Sequence, residues 1–588
     1  MAKSSQFKDL FTRISDRLGG ESAIWAVAEW LTKHTKLAGR PWSFKDHEFQ
    51  LAICNETAPH AVIQKPTQVG LTELSLRISL ALCAIRQHFG LIYVFPSAQF
   101  AGEVSKTRVD PIIENSERLS SLLVAGANGA HAKRIGTCTF YMGGAATKGQ
   151  AISRPVQALV MDEKDFCNQS VLTAYNGRLR HVLEQDRIVR EFSTPTVSDY
   201  GINGSLEKST HKRYMAKCVH CGEHQAPDFN TQITIPGWDK DEFKFFSKDD
   251  LMNPEILVTQ SYLRCRRCGK DLLPALASVD REWVPIHPGR SIVGYAVKPF
   301  DLIKYNTIPS LVRSYGQYTD EADYWNFVQG ETFASGTNQV NLELMTKQFV
   351  LPWVEEDTPP YGLAYGLDVG ATYCYAMAGI RVVENGFTKT KVIWRRRYYA
   401  NDGAFLGQVI ADLEKLQITR GVVDIGPDAS LSKALRDHGP GWFDAASYVN
   451  DSRDKLEYFE RNDSGVVRVQ RTKGFNALVK EMNEGRWEFA VGPDKSTVVS
   501  HLGGMKCVSQ NTDEGDVKKQ WVKVGDGEDH YLHAAMYLKT ALDLLDSVVG
   551  EHTAPVLPGL SGVTLGKGTQ RDPESDLVRH AARLYGIA

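Results

Sequence analysis

Three groups of residues in this chain have the types and spacing to do chemistry. The first is Lys65-Pro66-Thr67-Gln68-Val69-Gly70-Leu71-Thr72, set between a short apolar run and a long helical pattern. Backbone amides and a helix N-terminus placed this way can cradle phosphate. Against the ordinary phosphate-loop pattern Gly70 and Thr72 fit, but Leu71 stands where the lysine belongs and Lys65 where the first glycine belongs. A lysine at the loop's entry can still reach the phosphates as a point charge on a flexible stem. Thr72 would then offer its hydroxyl to Mg²⁺, with Gln68 and Gly70 completing the nucleotide-binding set. The plain alternative is a strand, a turn and a helix with an incidental lysine.

The run Leu159-Val160-Met161-Asp162-Glu163 joins this loop as an apolar strand ending in adjacent acids. Asp162 would take the metal side of a bound nucleotide, and Glu163 would polarise the attacking water as general base. Phe192-Ser193-Thr194-Pro195-Thr196 closes a further strand with hydroxyls, and Thr194 suits a sensor of the γ-phosphate. Arg154, just before the acidic strand, is the candidate for neutralising transition-state charge in its own or a neighbouring subunit. Arginines at strand edges also serve as plain surface ion-pair partners.

The second group is Cys218-Val219-His220-Cys221 and Cys265-Arg266-Arg267-Cys268, each followed by glycine. Two such knuckles form a closed tetrahedral Zn²⁺ site of structural type, since a catalytic zinc keeps an open position. Cys54, Cys83, Cys138, Cys167, Cys374 and Cys507 are scattered and read mostly as buried apolar residues. The third group is acidic: Asp368 in Tyr365-Gly366-Leu367-Asp368-Val369-Gly370, Asp424 in Gly421-Val422-Val423-Asp424-Ile425-Gly426, and Asp529 in Gly527-Glu528-Asp529-His530-Tyr531. A carboxylate inside an apolar strand is costly unless a metal or partner balances it. Together the three suit a pair of Mg²⁺ or Mn²⁺ ions that activate water and stabilise a leaving 3′ oxygen in phosphodiester hydrolysis. Each also has a bland explanation, as a strand-end turn residue or an N-cap. Asp526 and Glu528 are rivals for the third place, and His530 is a candidate assistant to the metals.

Positioning these groups needs more than one core, and 588 residues predict two to four domains. A helical lead-in is expected over residues 1–45. Short β-rich runs alternating with helices from about residue 60 predict a parallel, doubly wound sheet, giving a first α/β domain over 46–350. A Lys, Asp, Pro and Cys-rich insertion carrying the knuckles interrupts it at about 214–275. A proline- and acid-rich linker at 351–360 leads to a second α/β unit over 361–548, with a tail at 549–588. The chain is 42% hydrophobic and 23% charged, as a globular protein is. Its net charge of −2 gives no overall pull toward polyanions, so nucleic-acid binding would rest on local patches such as Arg395–Tyr399 or His211–Tyr214. No apolar run approaches the roughly 20 residues that span a bilayer, and the N-terminus lacks a secretory segment, so a cytosolic protein is expected.

These residues resemble those of the large terminase subunits of tailed bacteriophages, in their lambda-like branch, over about residues 40 to 545. In that family the phosphate-loop lysine commonly sits early, as Lys65 does, and the acidic strand is followed by a short Ser/Thr coupling motif. Its three nuclease acids match Asp368, Asp424 and Asp529, the last commonly followed by His. Trp42 to Gln50 lies where the family often recognises adenine, with no residue there distinctive enough to assign. The resemblance implies a P-loop ATPase followed by an RNase H-like α/β nuclease, using ATP with Mg²⁺, two Mg²⁺ or Mn²⁺ ions, and one structural Zn²⁺. It implies translocation of double-stranded DNA into a procapsid and cutting of concatemeric DNA, with a small terminase subunit, a portal protein and a homo-oligomeric ring as partners, in the host cytoplasm and transiently on the procapsid. Two rival readings stand beside it: a helicase or repair ATPase with an appended nuclease, for which a second motor lobe is missing, and a non-catalytic zinc-containing DNA-binding scaffold.

Overall fold

The computed structural model describes residues 27–552 except 87, 148, 150–154, 334–338, 353–362, 385–386, 427–428, 439–441, 450–457, 512–516 and 525–526. Arg154, Asp526, most of the expected linker, the first 26 residues of the lead-in and nearly all of the C-terminal tail lie outside them. The chain divides into two compact units, Met1–Ala334 with Val508–Lys518, and Ser335–Cys507 with Lys519–Ala588.

The first unit is built on β1 (His60–Gln64), β2 (Gly90–Phe95), β3 (Cys138–Gly144), β4 (Ala158–Met161), β5 (Ile188–Ser193), β6 (Lys212–Lys217) and β7 (Val293–Ala296). Their order across the sheet is β6-β7-β1-β5-β4-β2-β3, and each of these pairings is parallel. Strands covered on both faces must be apolar throughout, and all four residues of β4 are buried. Beyond β3 the sheet continues into two antiparallel strands, Ala132–Ile135 and Leu123–Asn128, which the alternation of runs does not foretell. Helix α1 (Leu71–Ile85) packs on one face, and Val27 and Leu31 of the preceding helix Val27–His34 join the same core. Those lead-in residues are therefore part of this unit's interior.

The order decides where the chemistry lies. β5 sits between β1 and β4, with Gln64 opposite Ser193 and Met161 opposite Glu191. Lys65, Thr194 and Asp162 therefore leave three adjacent strands at one edge, outside the carboxyl ends, where open parallel sheets bind ligands. The cysteine-bearing insertion leaves after β6 and has its own aromatic core, in which Phe243 stacks on Phe246 at 5.1 Å. That core also takes in Tyr315, Tyr324 and Trp325 from the helices that follow β7.

The second unit holds β8 (Phe349–Leu351), β9 (Leu363–Val369), β10 (Tyr373–Glu384), β11 (Phe387–Tyr399), β12 (Ile418–Asp424), β13 (Trp442–Val449), β14 (Phe459–Arg461), β15 (Val466–Gln470) and β16 (Trp487–Ala490). Their order is β8-β16-β11-β10-β9-β12-β13-β15-β14. β9, β10 and β11 form an antiparallel meander, and β12 and β13 continue from β9 in parallel. The boundary expected after residue 350 falls instead at 334/335, because β8 pairs with β16 and Met345 is buried in this core. A long helix, α2 (His530–His552), crosses β9 so closely that a Cβ on Gly366 would lie 2.3 Å from both Ala534 O and Leu538 N. Only glycine permits that approach. Gly366→Ala should destabilise this unit by about 3 kcal/mol in urea unfolding, since the helix must move to admit the methyl group.

Candidate active sites

At the edge of the first sheet the structure brings together Lys65, Thr72, Asp162 and Glu163. The Lys65 ammonium donates to Glu163 Oε1 at 2.8 Å and lies 4.0 Å from Asp162 Oδ1. Burial works against the ammonium, but Glu163 and then Asp162 outweigh it and hold Lys65 above the ordinary lysine range. Burial pushes the Asp162 carboxyl up, against the pull of Lys65, and Thr72 faces that carboxylate. Leu71 is buried in the core as the first residue of α1, so a lysine there would have its charge buried. Gly70 closes the loop in the left-handed region, and Gln68 is exposed at its apex with a φ of 60°. Thr194 is 1% exposed, and its hydroxyl has no hydrogen-bond partner among the described residues.

Several supporting residues carry no signal in the sequence. Tyr93 of β2 donates to Asp162 Oδ2 at 2.9 Å. Gln50 donates to Val69 O in the loop at 2.8 Å, which picks one residue out of the unassigned Trp42–Gln50 stretch. Phe327 O accepts from both the amide and the hydroxyl of Thr67, each at 2.8 Å, so the helices that pack on the cysteine insertion also hold the loop. Asp165, three residues beyond Asp162, accepts from Thr196 N (2.9 Å), Thr196 Oγ1 (2.8 Å) and Ile202 N (2.6 Å). Burial pushes its carboxyl up to about 7 despite those donors. It ties the acidic turn to the hydroxyl loop, so a shift at one is felt at the other. An acid two positions past the pair is the only clue visible in the sequence.

The four cysteines converge. Their sulfurs all lie within 4.8 Å of one another, the one group of His, Cys, Asp or Glu among the described residues gathered as a metal site. The two turns repeat each other: Gly222 N bonds Cys218 O and Gly269 N bonds Cys265 O, both at 2.9 Å, with glycine φ of 73° and 70°. Burial raises the Cys265 thiol, but the amides of Cys268 and Arg267 and the Gln225 side chain, 3.1 Å away, bring it down to about 6. Such amide-rich surroundings favour thiolate.

In the second unit Asp368 and Asp424 are neighbours, since β9 and β12 run parallel with Leu367 opposite Val423. Burial, helped by Asp368 and opposed by the Gly426 amide, pushes Asp424 up to about 6. His530, at the start of α2, contacts Asp368 Oδ2 through Nδ1 at 2.8 Å and stacks on Tyr375 at 4.7 Å and 4°. Asp529 reaches this corner with its carboxylate engaged, 3.5 Å from His533 Nε2 and 3.7 Å from Lys523 Nζ. Burial opposes its charge, but His533 and Lys523 keep it below the ordinary aspartate range. Glu528 accepts from the Tyr375 hydroxyl (3.2 Å) and pairs with His501 (3.1 Å). Asp368 and Asp424 thus share one end of the sheet, and Asp529 directly precedes the histidine bonded to Asp368, but the three are not gathered as a metal site among the described residues. Of the two basic patches, His211–Tyr214 is largely turned inward: Lys212 pairs with Glu56 at 3.2 Å, and Tyr214 packs at a tilt against Trp283.

A parallel sheet that presents a lysine loop, an acid pair and a hydroxyl loop from adjacent strand ends defines a phosphate-loop ATPase. Residues 46–275 match the family of the phage terminase large subunit gpA, ATPase domain. No curated protein matches the chain. Among solved structures it is similar to the large terminase of bacteriophage HK97 (11% identity, 88% of this chain and 99% of that one, TM-score 0.48). It is also similar to the large terminase of a thermophilic bacteriophage (12%, 86% and 100%, 0.29). A third likeness is to the human cytomegalovirus terminase nuclease domain, Mn soaked and inhibitor bound (7%, 36% and 97%, 0.22). No helix among the described residues is long and apolar enough to cross a membrane.

Proposed function

We propose that this chain is a packaging motor that hydrolyses ATP to move double-stranded DNA into a procapsid and cuts concatemeric DNA with its second unit. The match of residues 46–275 to that family supports a DNA-packaging role. The observation that carries the rest is the gathering of Lys65, Thr72, Asp162 and Glu163 at one sheet edge. ATP phosphates would compete with Glu163 for Lys65, and Thr72 with Asp162 would hold Mg²⁺. Glu163, freed of its lysine, would take the proton of the attacking water, and the Thr194 hydroxyl, unpartnered among the described residues, would register the γ-phosphate. A small terminase subunit, a portal protein and a ring of copies are the partners this role calls for.

The second sheet's order, a three-stranded antiparallel meander extended in parallel, together with Asp368 and Asp424 on adjacent strands, supports an RNase H-like nuclease. Asp368, Asp424 and Asp529 would hold Mg²⁺ or Mn²⁺, which when bound supplies a nucleophilic water and stabilises the leaving oxygen. His530 would orient Asp368. Purified protein should hydrolyse ATP only with Mg²⁺ and nick or linearise plasmid DNA with Mg²⁺ or Mn²⁺. Neither activity in well-folded protein would point to a scaffold instead.

The thiols fit one structural Zn²⁺. Purified chain should carry one equivalent of zinc by elemental analysis, and Cys265→Ser should lose it and lower the melting temperature of the first unit. Full stability without metal would count against the site.

A further inference from the structure

The cluster Arg395-Arg396-Arg397-Tyr398-Tyr399 is sorted by its place on β11, where successive side chains face opposite sides. Arg395 is buried, bonded to Asp494 at 2.7 and 3.1 Å and to Ala490 O at 3.0 Å. Arg396, on the other face, grips both oxygens of Asp412 at 2.8 and 2.9 Å. Arg397 returns to the face of Arg395 but is exposed, and it has no carboxylate partner among the described residues. Its guanidinium lies 4.7 Å from the centre of the Tyr373 ring.

Register ties this arginine to the acidic corner. Asp368 is opposite Tyr375, and Tyr375 is opposite Arg397, so the three form one row across β9, β10 and β11. Directly paired residues share a face of the sheet. One step along, Tyr373 is opposite Tyr399; their rings are 5.5 Å apart and 37% and 50% exposed. The row ends at His530, stacked on Tyr375 and bonded to Asp368.

We propose that Arg397, supported by Tyr373 and Tyr399, is a substrate-binding residue that grips a DNA backbone phosphate beside the one cut at Asp368. The proposal rests on the nuclease reading of the second unit. At a strand spacing of about 4.8 Å, Arg397 is roughly 10 Å from Asp368 between Cα atoms, within reach of a phosphate on a neighbouring nucleotide. The two arginines before it are paired with Asp494 and Asp412, whereas Arg397 meets the Tyr375 hydroxyl and the Tyr373 ring, so its charge has no carboxylate among the described residues to balance it and can meet a phosphate. The tyrosine beneath fixes the guanidinium plane by cation–π contact, and exposed rings flanking a cation are how proteins track nucleic-acid strands. A phosphate contact carries no sequence information, which suits an enzyme that must hold any DNA passing through it.

The test uses the full chain and a fluorescein-labelled duplex in EDTA, with anisotropy read over a salt series. Arg397→Ala should raise Kd about tenfold at low salt and lower the slope of log K against log salt by about one. Arg397→Lys should keep the slope with an intermediate Kd, because the charge remains and the stacked plane is lost. In plasmid cleavage Arg397→Ala should raise KM with kcat near wild type, and ATP hydrolysis should not change. Wild-type Kd and slope in Arg397→Ala would overturn the clamp, even if Asp368→Asn abolishes cleavage and so upholds the nuclease. Cleavage surviving in Asp368→Asn would instead remove the nuclease reading, while the salt slope would still report whether Arg397 meets phosphate.

Discussion

Glu163→Gln should cut ATP turnover by about 10²- to 10⁴-fold, the contribution of a positioned general base, while ATP binding stays as tight or tightens. Both halves follow from one contact. In the structure Lys65 is bonded to Glu163 at 2.8 Å, closer than to Asp162 at 4.0 Å. ATP must therefore replace a carboxylate on the lysine before its phosphates can be held there. A neutral glutamine keeps the shape, weakens that competition and cannot accept the proton. Lys65→Ala separates the roles: it removes the phosphate contact and leaves Asp162 buried beside no cation, so binding and turnover should fall together. Nucleotide affinity by fluorescence titration and turnover by phosphate release distinguish the two variants. Turnover near wild type in Glu163→Gln would show that another group takes the proton.

What can be read from the residues divides by range. The loop at Lys65, the strand ending at Asp162 and the cysteine knuckles are local signals: a turn, an apolar run or a fixed spacing carries each of them. The departure at Leu71 is visible in the sequence, but the packing of α1 that takes Leu71 into the core is not. Gln50, Tyr93 and Phe327 reach the ATPase edge from elements distant in sequence, and no pattern in their own segments marks them. Asp165 looks like one more surface acid until Thr196 and Ile202 fold back onto it. The two basic patches are indistinguishable as strings. One is largely turned inward, and in the other only pairing with Asp494 and Asp412 shows which arginine is left over. The same holds for the second sheet, where Asp368 and Asp424 read as isolated strand acids until β9 and β12 are found side by side.

That adjacency makes Asp368→Asn the sharpest test of the second unit. Asparagine keeps the size of the side chain and can still accept from His530, so the stack of His530 on Tyr375 should survive and the unit should stay folded. What is lost is a charge next to Asp424. With that repulsion gone, the Asp424 carboxyl should move back from about 6 toward the ordinary aspartate range. A metal pair held by three carboxylates would lose one of them, and several kcal/mol of transition-state stabilisation with it, or about 10³-fold in plasmid cleavage under Mg²⁺ or Mn²⁺. ATP hydrolysis should not follow, because Lys65 and Glu163 belong to the other compact unit with its own core. Paired with Glu163→Gln, which should cleave plasmid and fail at ATP, the result would be a double dissociation. Asp368→Asn that still cuts, or that loses both activities while remaining folded by circular dichroism, would break the assignment of one reaction to each unit.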